Sequence, residues 1–98
     1  MKINMDEVAK LTEEEKFALV GWIGENIAPV KTPNKHHNSY GLKHFFERDT
    51  KIYVTNDQFK GIMLELGYEP INPEGTNWYL CISNLKLRPA IIRFYGHA

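Results

Sequence analysis

Residues 55–68 read TNDQFKGIMLELGY, and this stretch contains the signals for one complete helix. Thr55 and Gln58 match the S/T-x-x-Q capping box, in which side chains and backbone at a helix start satisfy each other's hydrogen bonds. Gly67 is the residue expected just past the helix end, because glycine adopts the left-handed conformation found there. Apolar side chains at three-to-four spacing predict one buried face. They are Phe59, Ile62, Met63 and Leu66.

Two further helices are predicted before this one. The first begins with a capping box at Thr12 and Glu15 and ends near Asn26, because Pro29 disfavours a helical residue before it. A proline-containing linker, residues 28–38, leads to a shorter helix capped by Ser39. The predicted buried side chains are Phe17, Val20, Ile23 or Gly24, and Ile27 in the first helix, and Leu42, Phe45 and Phe46 in the second.

Three segments have the alternation and the β-branched or aromatic content typical of strands. KIYVT (residues 51–55) predicts a short strand, and residues 68–83 predict a hairpin around the turn sequence PEGT. PAIIRFYGHA (residues 89–98) predicts a final strand. The expected fold is α+β, a single domain over residues 1–98 with three helices and a small antiparallel sheet. This order of elements resembles a winged helix.

Three segments of the sequence also resemble a group of known proteins. HHNSYGLKHFFE (residues 36–47), YVTNDQFKGIMLELGY (residues 53–68) and NWYLCIS (residues 77–83) are similar to small uncharacterised proteins of phages and integrated mobile elements of Gram-positive bacteria. The resemblance implies an accessory protein of such an element. It supplies no functional residues, because no activity is established for that group.

The charges are unevenly distributed although the net charge is zero. Residues 1–30 hold six acidic side chains and three lysines, whereas residues 31–46 hold three lysines, three histidines and no acid. Zero net charge argues against wholesale wrapping of nucleic acid, but a local basic surface can hold phosphates. We therefore expect a non-enzymatic protein that binds nucleic acid through the linker and the start of the second helix. The predicted contacts are Lys31, Lys35, Lys43, His44, Lys60 and Arg88.

The alternative is a protein–protein interaction module that inhibits or adapts an enzyme. Asp57, Gly61 and Leu64 lie opposite the predicted buried face of the helix in residues 55–68. A glycine in the middle of a helix costs about 1 kcal/mol relative to alanine, so Gly61 suggests that another chain or element comes close. These three residues are the predicted partner contact.

The sequence lacks the patterns of several other functional classes. It has no phosphate-binding glycine loop, nucleophile elbow or zinc-ligand spacing, so we expect no catalytic activity, no cofactor and no metal, although His36, His37 and His44 lie close together. Its longest apolar runs are too short to cross a membrane, and its start lacks the apolar stretch of a signal peptide. Cys81 is the only cysteine, which favours a reducing compartment and predicts a cytoplasmic protein.

Overall fold

A computed structural model describes residues 3–96, and within them the chain forms five α-helices and no β-strand. The predicted α+β class, with its antiparallel sheet and winged-helix skeleton, is therefore wrong. The helices bury apolar side chains in one shared core. In chain order they are α1 (Met5–Ala9), α2 (Glu13–Asn26), α3 (Ser39–Thr50), α4 (Asn56–Glu65) and α5 (Asn84–Tyr95).

Helix α4 lies at the centre of the molecule and contacts α1, α2 and α3. The capping box of Thr55 and Gln58 is present as predicted. Gly67, with φ of 95°, follows the helix end, and its N–H donates to the Leu64 carbonyl while the next N–H donates to Met63. This is the double hydrogen bond of a Schellman motif. Leu66, predicted to be buried, is exposed.

Helix α1 covers the face of α4 that the sequence predicted to be open. A Cβ atom on Gly61 would collide with the side chain of Val8 from α1. The side-chain amide of Gln58 donates to the backbone carbonyl of Glu7 at 2.9 Å. Both faces of α4 are thus buried, as expected for a helix surrounded by neighbours. The element that approaches Gly61 closely is a helix of the same chain.

Helix α2 has the predicted ends and most of the predicted buried side chains. Its capping box at Thr12 and Glu15 is formed, and the helix ends at Asn26 as expected. Ile23 and Ile27 are buried as predicted, but Phe17 is 83% exposed. The buried side also includes Leu19 and Trp22, because α2 carries apolar residues on more than one side and spacing alone left the exact orientation open.

Helix α3 and the segment after it contain the next differences. The cap of α3 is Asn38 instead of Ser39, while Leu42, Phe45 and Phe46 are buried as predicted. Residues 51–55 form no strand. Their backbone is satisfied by side chains of α3: the Val54 N–H donates to Glu47 at 3.1 Å and the Ile52 N–H donates to Thr50 at 3.2 Å. The alternation arises because the connection buries Val54 and exposes its neighbours.

The predicted hairpin in residues 68–83 is reduced to one isolated bridge, Pro70 to Leu80. A second bridge joins Ile82 to Pro29 of the linker. The hydrogen bonds of these bridges come from neighbouring residues, with the Val30 N–H donating to the Cys81 carbonyl and the Ile71 N–H donating to the Tyr79 carbonyl. Neither pairing extends to a strand within residues 3–96. The predicted alternation is correct, since Trp78, Leu80 and Ile82 are all buried.

The predicted final strand is the C-terminal part of α5. Ser83 caps this helix by accepting a hydrogen bond from the Lys86 N–H at 3.0 Å. The buried side chains Leu87 and Ala90 follow helical spacing. Pro89 lies inside the helix, where proline is usually disfavoured. The strand was predicted from the alternation of residues 90–95, a short pattern that does not separate a strand from a helix. Residues 97 and 98 of the predicted strand lie outside the described part of the chain.

Candidate nucleic-acid interface

The fold buries Lys60, one of the six predicted phosphate contacts. Its side chain is only 2% exposed, and its ammonium group donates to the backbone carbonyl of Thr76 at 2.8 Å. The same ammonium group lies 3.5 Å from the carboxylate of Asp57 and 4.7 Å from the ring centroid of Trp78. Lys60 therefore attaches the loop before Trp78 to α4, and it has no path to a ligand.

Lys43 and His44 are also engaged within the protein. Lys43 is 4% exposed, and its ammonium group lies 2.8 Å from Glu47 and 4.7 Å from the ring of Tyr53. His44 is half-buried, with Nδ1 3.3 Å from the other oxygen of Glu47 and its ring against Tyr40. Glu47 thus offsets the positive charge of this part of α3, which removes both residues from the predicted site.

The start of α3 is closed to phosphates as well. The side-chain oxygen of Asn38 accepts hydrogen bonds from the N–H groups of Tyr40 and Gly41 at 3.0 and 3.1 Å. The Ser39 N–H donates to the carbonyl of Trp78 at 2.8 Å. The N–H groups of Ser39, Tyr40 and Gly41, which would bind an anion at this helix start, are therefore already satisfied within the protein.

Lys31, Lys35 and Arg88 remain accessible. All three side chains are exposed, and none forms an ion pair or hydrogen bond with any residue in the described range 3–96. The segments that carry them are free of opposing charge, because residues 26–46 and 75–98 contain no aspartate or glutamate. We call Lys31, Lys35 and Arg88 the basic face.

A groove of about 450 Å³ connects the linker to the start of α5. Lys35 and His36 line one side of it, and Ser83 and Asn84 line the other. Arg88 follows Asn84 by one helical turn on the same flank of α5, since residues four apart lie one above the other. The groove therefore runs from Lys35 to the flank of α5 that carries Arg88.

Buried Asn34 holds the linker in place against α5. Its side-chain NH₂ donates to the side-chain oxygen of Asn84 at 2.8 Å and to the carbonyl of Ile82 at 3.4 Å. Its side-chain oxygen accepts from the N–H groups of His36 and His37. The apparently irregular linker is thus a defined structure that presents Lys35 in a fixed place. Asparagine is a turn-forming residue type, so Asn34 was a sequence signal for a turn in the linker. The sequence could not show its hydrogen-bond partner, because Asn84 is 50 residues away.

Helix α5 leaves two donors at its start. The N–H groups of Asn84 and Leu85 have no acceptor among the described residues, whereas the Lys86 N–H is capped by Ser83. The unpaired N–H groups at a helix start carry the positive end of the helix dipole, so they favour an anion nearby. They add to the positive potential of the groove.

The alternative partner contact is not an open surface. Gly61 is buried beneath Val8 of α1, and Leu64 is half-buried. Asp57 is half-buried and accepts a hydrogen bond from the backbone N–H of Asn4 at 3.4 Å. Helix α1 thus occupies the place that was assigned to a partner.

A second cleft, of about 570 Å³, lies between α2, α3 and α5. Three of its polar side chains are joined: Asp49 accepts from the indole N–H of Trp22 at 2.8 Å and from two nitrogens of Arg93 at 2.8 and 3.0 Å. Glu25 and Lys86 also line the cleft. The hydrogen bonds from Arg93 hold the pKa of Asp49 below its usual value, and Asp49 raises the pKa of Arg93. This network joins helices and leaves few groups for a ligand.

Metal binding and membrane insertion find no support in the described residues. Within residues 3–96, no three histidine, cysteine, aspartate or glutamate side chains converge as metal ligands. Burial, and secondarily the neighbouring His36, lowers the pKa of His37. No helix in this range is both long and apolar enough to span a bilayer.

The chain matches no protein-family model, no curated protein and no solved structure. Its function is therefore inferred from the geometry of its own residues.

Proposed function

We propose that this protein is a non-enzymatic accessory protein that binds nucleic acid through the basic face. The observation that carries the proposal is that Lys31, Lys35 and Arg88 are exposed, unpaired within residues 3–96, and located on segments without acidic residues. Unpaired lysine and arginine side chains of this kind bind phosphates and release counterions. The α5 N–H groups beside the groove supply further donors of the right polarity.

The sequence suggests the biological origin and the cellular compartment of this protein. The resemblance of the linker, α3 and α4 segments to phage and mobile-element proteins suggests a bacterial accessory protein, and the lone Cys81 suggests the cytoplasm. Zero net charge limits the affinity, because the acidic first third of the chain repels a polyanion. The interface is therefore small and local.

The proposal is tested by the salt dependence of binding to labelled DNA. Three phosphate contacts give a slope of log K against log salt concentration of about −2.1 for a single strand and about −2.7 for duplex DNA. Affinity should then fall roughly 20- to 40-fold between about 50 and 200 mM salt. A protein that leaves fluorescence anisotropy unchanged at micromolar concentration and low salt does not bind nucleic acid, which would contradict the proposal.

A charge-reversal pair tests the assigned surface. Lys35→Glu with Arg88→Glu should abolish binding, with little change in the thermal midpoint, because both side chains are exposed. The matched control is Arg48→Glu with Lys51→Glu, which changes the net charge equally. Arg48 and Lys51 are exposed at the far end of α3, about 16 Å from its start at the linker. Equal loss in the control pair would mean that the basic face is wrongly assigned.

A further inference from the structure

A row of ring contacts runs from the linker to the end of α5. The ring centroids of His36 and His37 are 6.5 Å apart, and His37 lies 5.5 Å from Phe45 of α3. Phe45 lies 5.0 Å from Phe94, which lies 5.1 Å from Tyr95. We call these five side chains the aromatic strip.

The strip is anchored in the core and open at both ends. Phe45, in its middle, is buried, whereas Tyr95 is 73% exposed and His36 is exposed. Edge-to-face contacts of this kind stabilise the ring orientations. The exposed rings therefore project from a fixed support.

The strip shares one flank of α5 with the basic face. Residues 84, 88 and 95 fall within about 40° of each other on a helical wheel, since successive residues turn by about 100°. Asn84 borders the groove that contains Lys35 and His36, and Arg88 lies between Asn84 and Tyr95. Arg93 lies on the other flank, in the cleft with Trp22. Cations and exposed rings thus alternate along one surface.

His37 contributes a ring and not a charge to this surface at neutral pH. Burial lowers its pKa, and His36 lowers it further. The charges of the surface come from the lysines and Arg88, while the strip supplies faces and edges for stacking.

We infer that this surface takes single-stranded nucleic acid, with bases stacked on Tyr95 and His36 and phosphates against Lys35 and Arg88. The inference rests on the proposed function and narrows its ligand class. A basic track beside exposed aromatic rings is the arrangement that binds unpaired strands, since duplex bases are already stacked on each other. The helix in residues 56–65, which follows α3 as a recognition helix would, is buried on both faces and cannot enter a duplex groove.

The length of the surface sets the size of the ligand. The axis of α5 from Asn84 to Tyr95 is about 16 Å long. At the duplex rise of about 3.4 Å per nucleotide this distance holds about five nucleotides, and a more extended single strand places fewer along it. An oligonucleotide of that length or slightly longer should reach the full affinity.

The test compares a labelled single-stranded 12-mer with the duplex of the same sequence, by fluorescence anisotropy at two salt concentrations. The single strand should bind at least tenfold more tightly. Tyr95→Ala should weaken single-strand binding about 5- to 100-fold with an unchanged salt slope, because a lost stacking contact removes no phosphate contact. Phe17→Ala, which removes an exposed ring of α2 outside the strip, should have no effect. Circular dichroism melts establish that both variants fold.

The outcomes separate the inference from the proposed function. Equal or tighter binding of the duplex would overturn the single-strand inference and leave nucleic-acid binding intact. An unchanged affinity of Tyr95→Ala, with loss in Lys35→Glu, would also overturn the inference alone. Absence of binding to either oligonucleotide at low salt would overturn both.

Discussion

Lys60 and Lys35 have the same side chain and opposite roles. Lys60 donates to a backbone carbonyl from within the core, over the ring of Trp78, whereas Lys35 extends into solvent at the edge of a groove. A buried ammonium group must be paired, because its desolvation is costly without hydrogen bonds and opposite charge. At the residue scale, the environment of a lysine decides whether it stabilises the fold or meets a ligand.

This difference predicts that replacement by alanine destabilises the protein at position 60 and has almost no effect at position 35. Lys60→Ala should lower the free energy of unfolding by about 2 to 3 kcal/mol, because it removes a charge-assisted hydrogen bond and the packing of a buried stem. Lys35→Ala should change it by less than about 0.5 kcal/mol. Urea denaturation of the two variants measures both values. Similar stabilities would mean that Lys60 is not held in the core.

Helix phase decides which residues of α4 are accessible. The spacing of Phe59, Ile62 and Met63 predicted one buried face correctly, but spacing gives no information about a second neighbour. Helix α1, only five residues long, covers the opposite face through Val8 and depends on the missing side chain of Gly61. At the element scale, Gly61 allows α1 of the same chain to pack closely against α4.

The α1–α4 contact predicts that alanine at position 61 destabilises the protein, although alanine is the better helix former. Gly61→Ala would stabilise an open helix by about 1 kcal/mol, yet here the new methyl group meets Val8 and should destabilise by about 1 to 3 kcal/mol. Adding Val8→Ala should recover part of that loss, giving a favourable coupling energy in a double-mutant cycle. Thermal or urea unfolding of the four proteins provides the cycle. Additive effects would contradict the contact.

At the scale of the whole molecule, Asp49 connects three helices. From α3, it accepts hydrogen bonds from Trp22 of α2 and Arg93 of α5, and Arg93 also donates to Asn26. The hydrogen bonds from Arg93 lower the pKa of Asp49 in the folded state. The carboxylate therefore stabilises the fold above the unfolded pKa, and this contribution disappears as the pH falls through the folded value.

Acid unfolding should report this connection. Stability should fall as the pH drops below about 4, the ordinary value for aspartate. Asp49→Asn should cost about 1 kcal/mol at pH 7, since Arg93 is half-exposed and solvent screens the pair. It should also reduce the loss of stability between about pH 4 and 2. Thermal melts of Asp49→Asn and of the unchanged protein across this pH range measure the difference.

Local signals in the sequence determined the ends of α2 and α4, the buried side of α3 and the alternation in residues 78–82. Capping boxes, a terminal glycine and apolar spacing act between residues close in the chain, so they can be interpreted without a fold. The same signals located the linker with Lys31 and Lys35. The tail was predicted as a strand because residues 90–95 alternate, although Leu87 and Ala90 have helical spacing.

Only the tertiary structure decided which elements pair and which charges remain free. The segments around Pro29 and Pro70 pair with residues 80–82 only at isolated bridges, α1 closed the second face of α4, and Trp78 came within reach of Lys60. Each of these outcomes joins residues on different segments, several of them far apart in the chain, and depends on competition for burial that no local pattern records. The Lys43–Glu47 pair differs, because its four-residue spacing on α3 is a local signal. The basic face consists of Lys31, Lys35 and Arg88 because the fold leaves these side chains exposed and without a partner in residues 3–96.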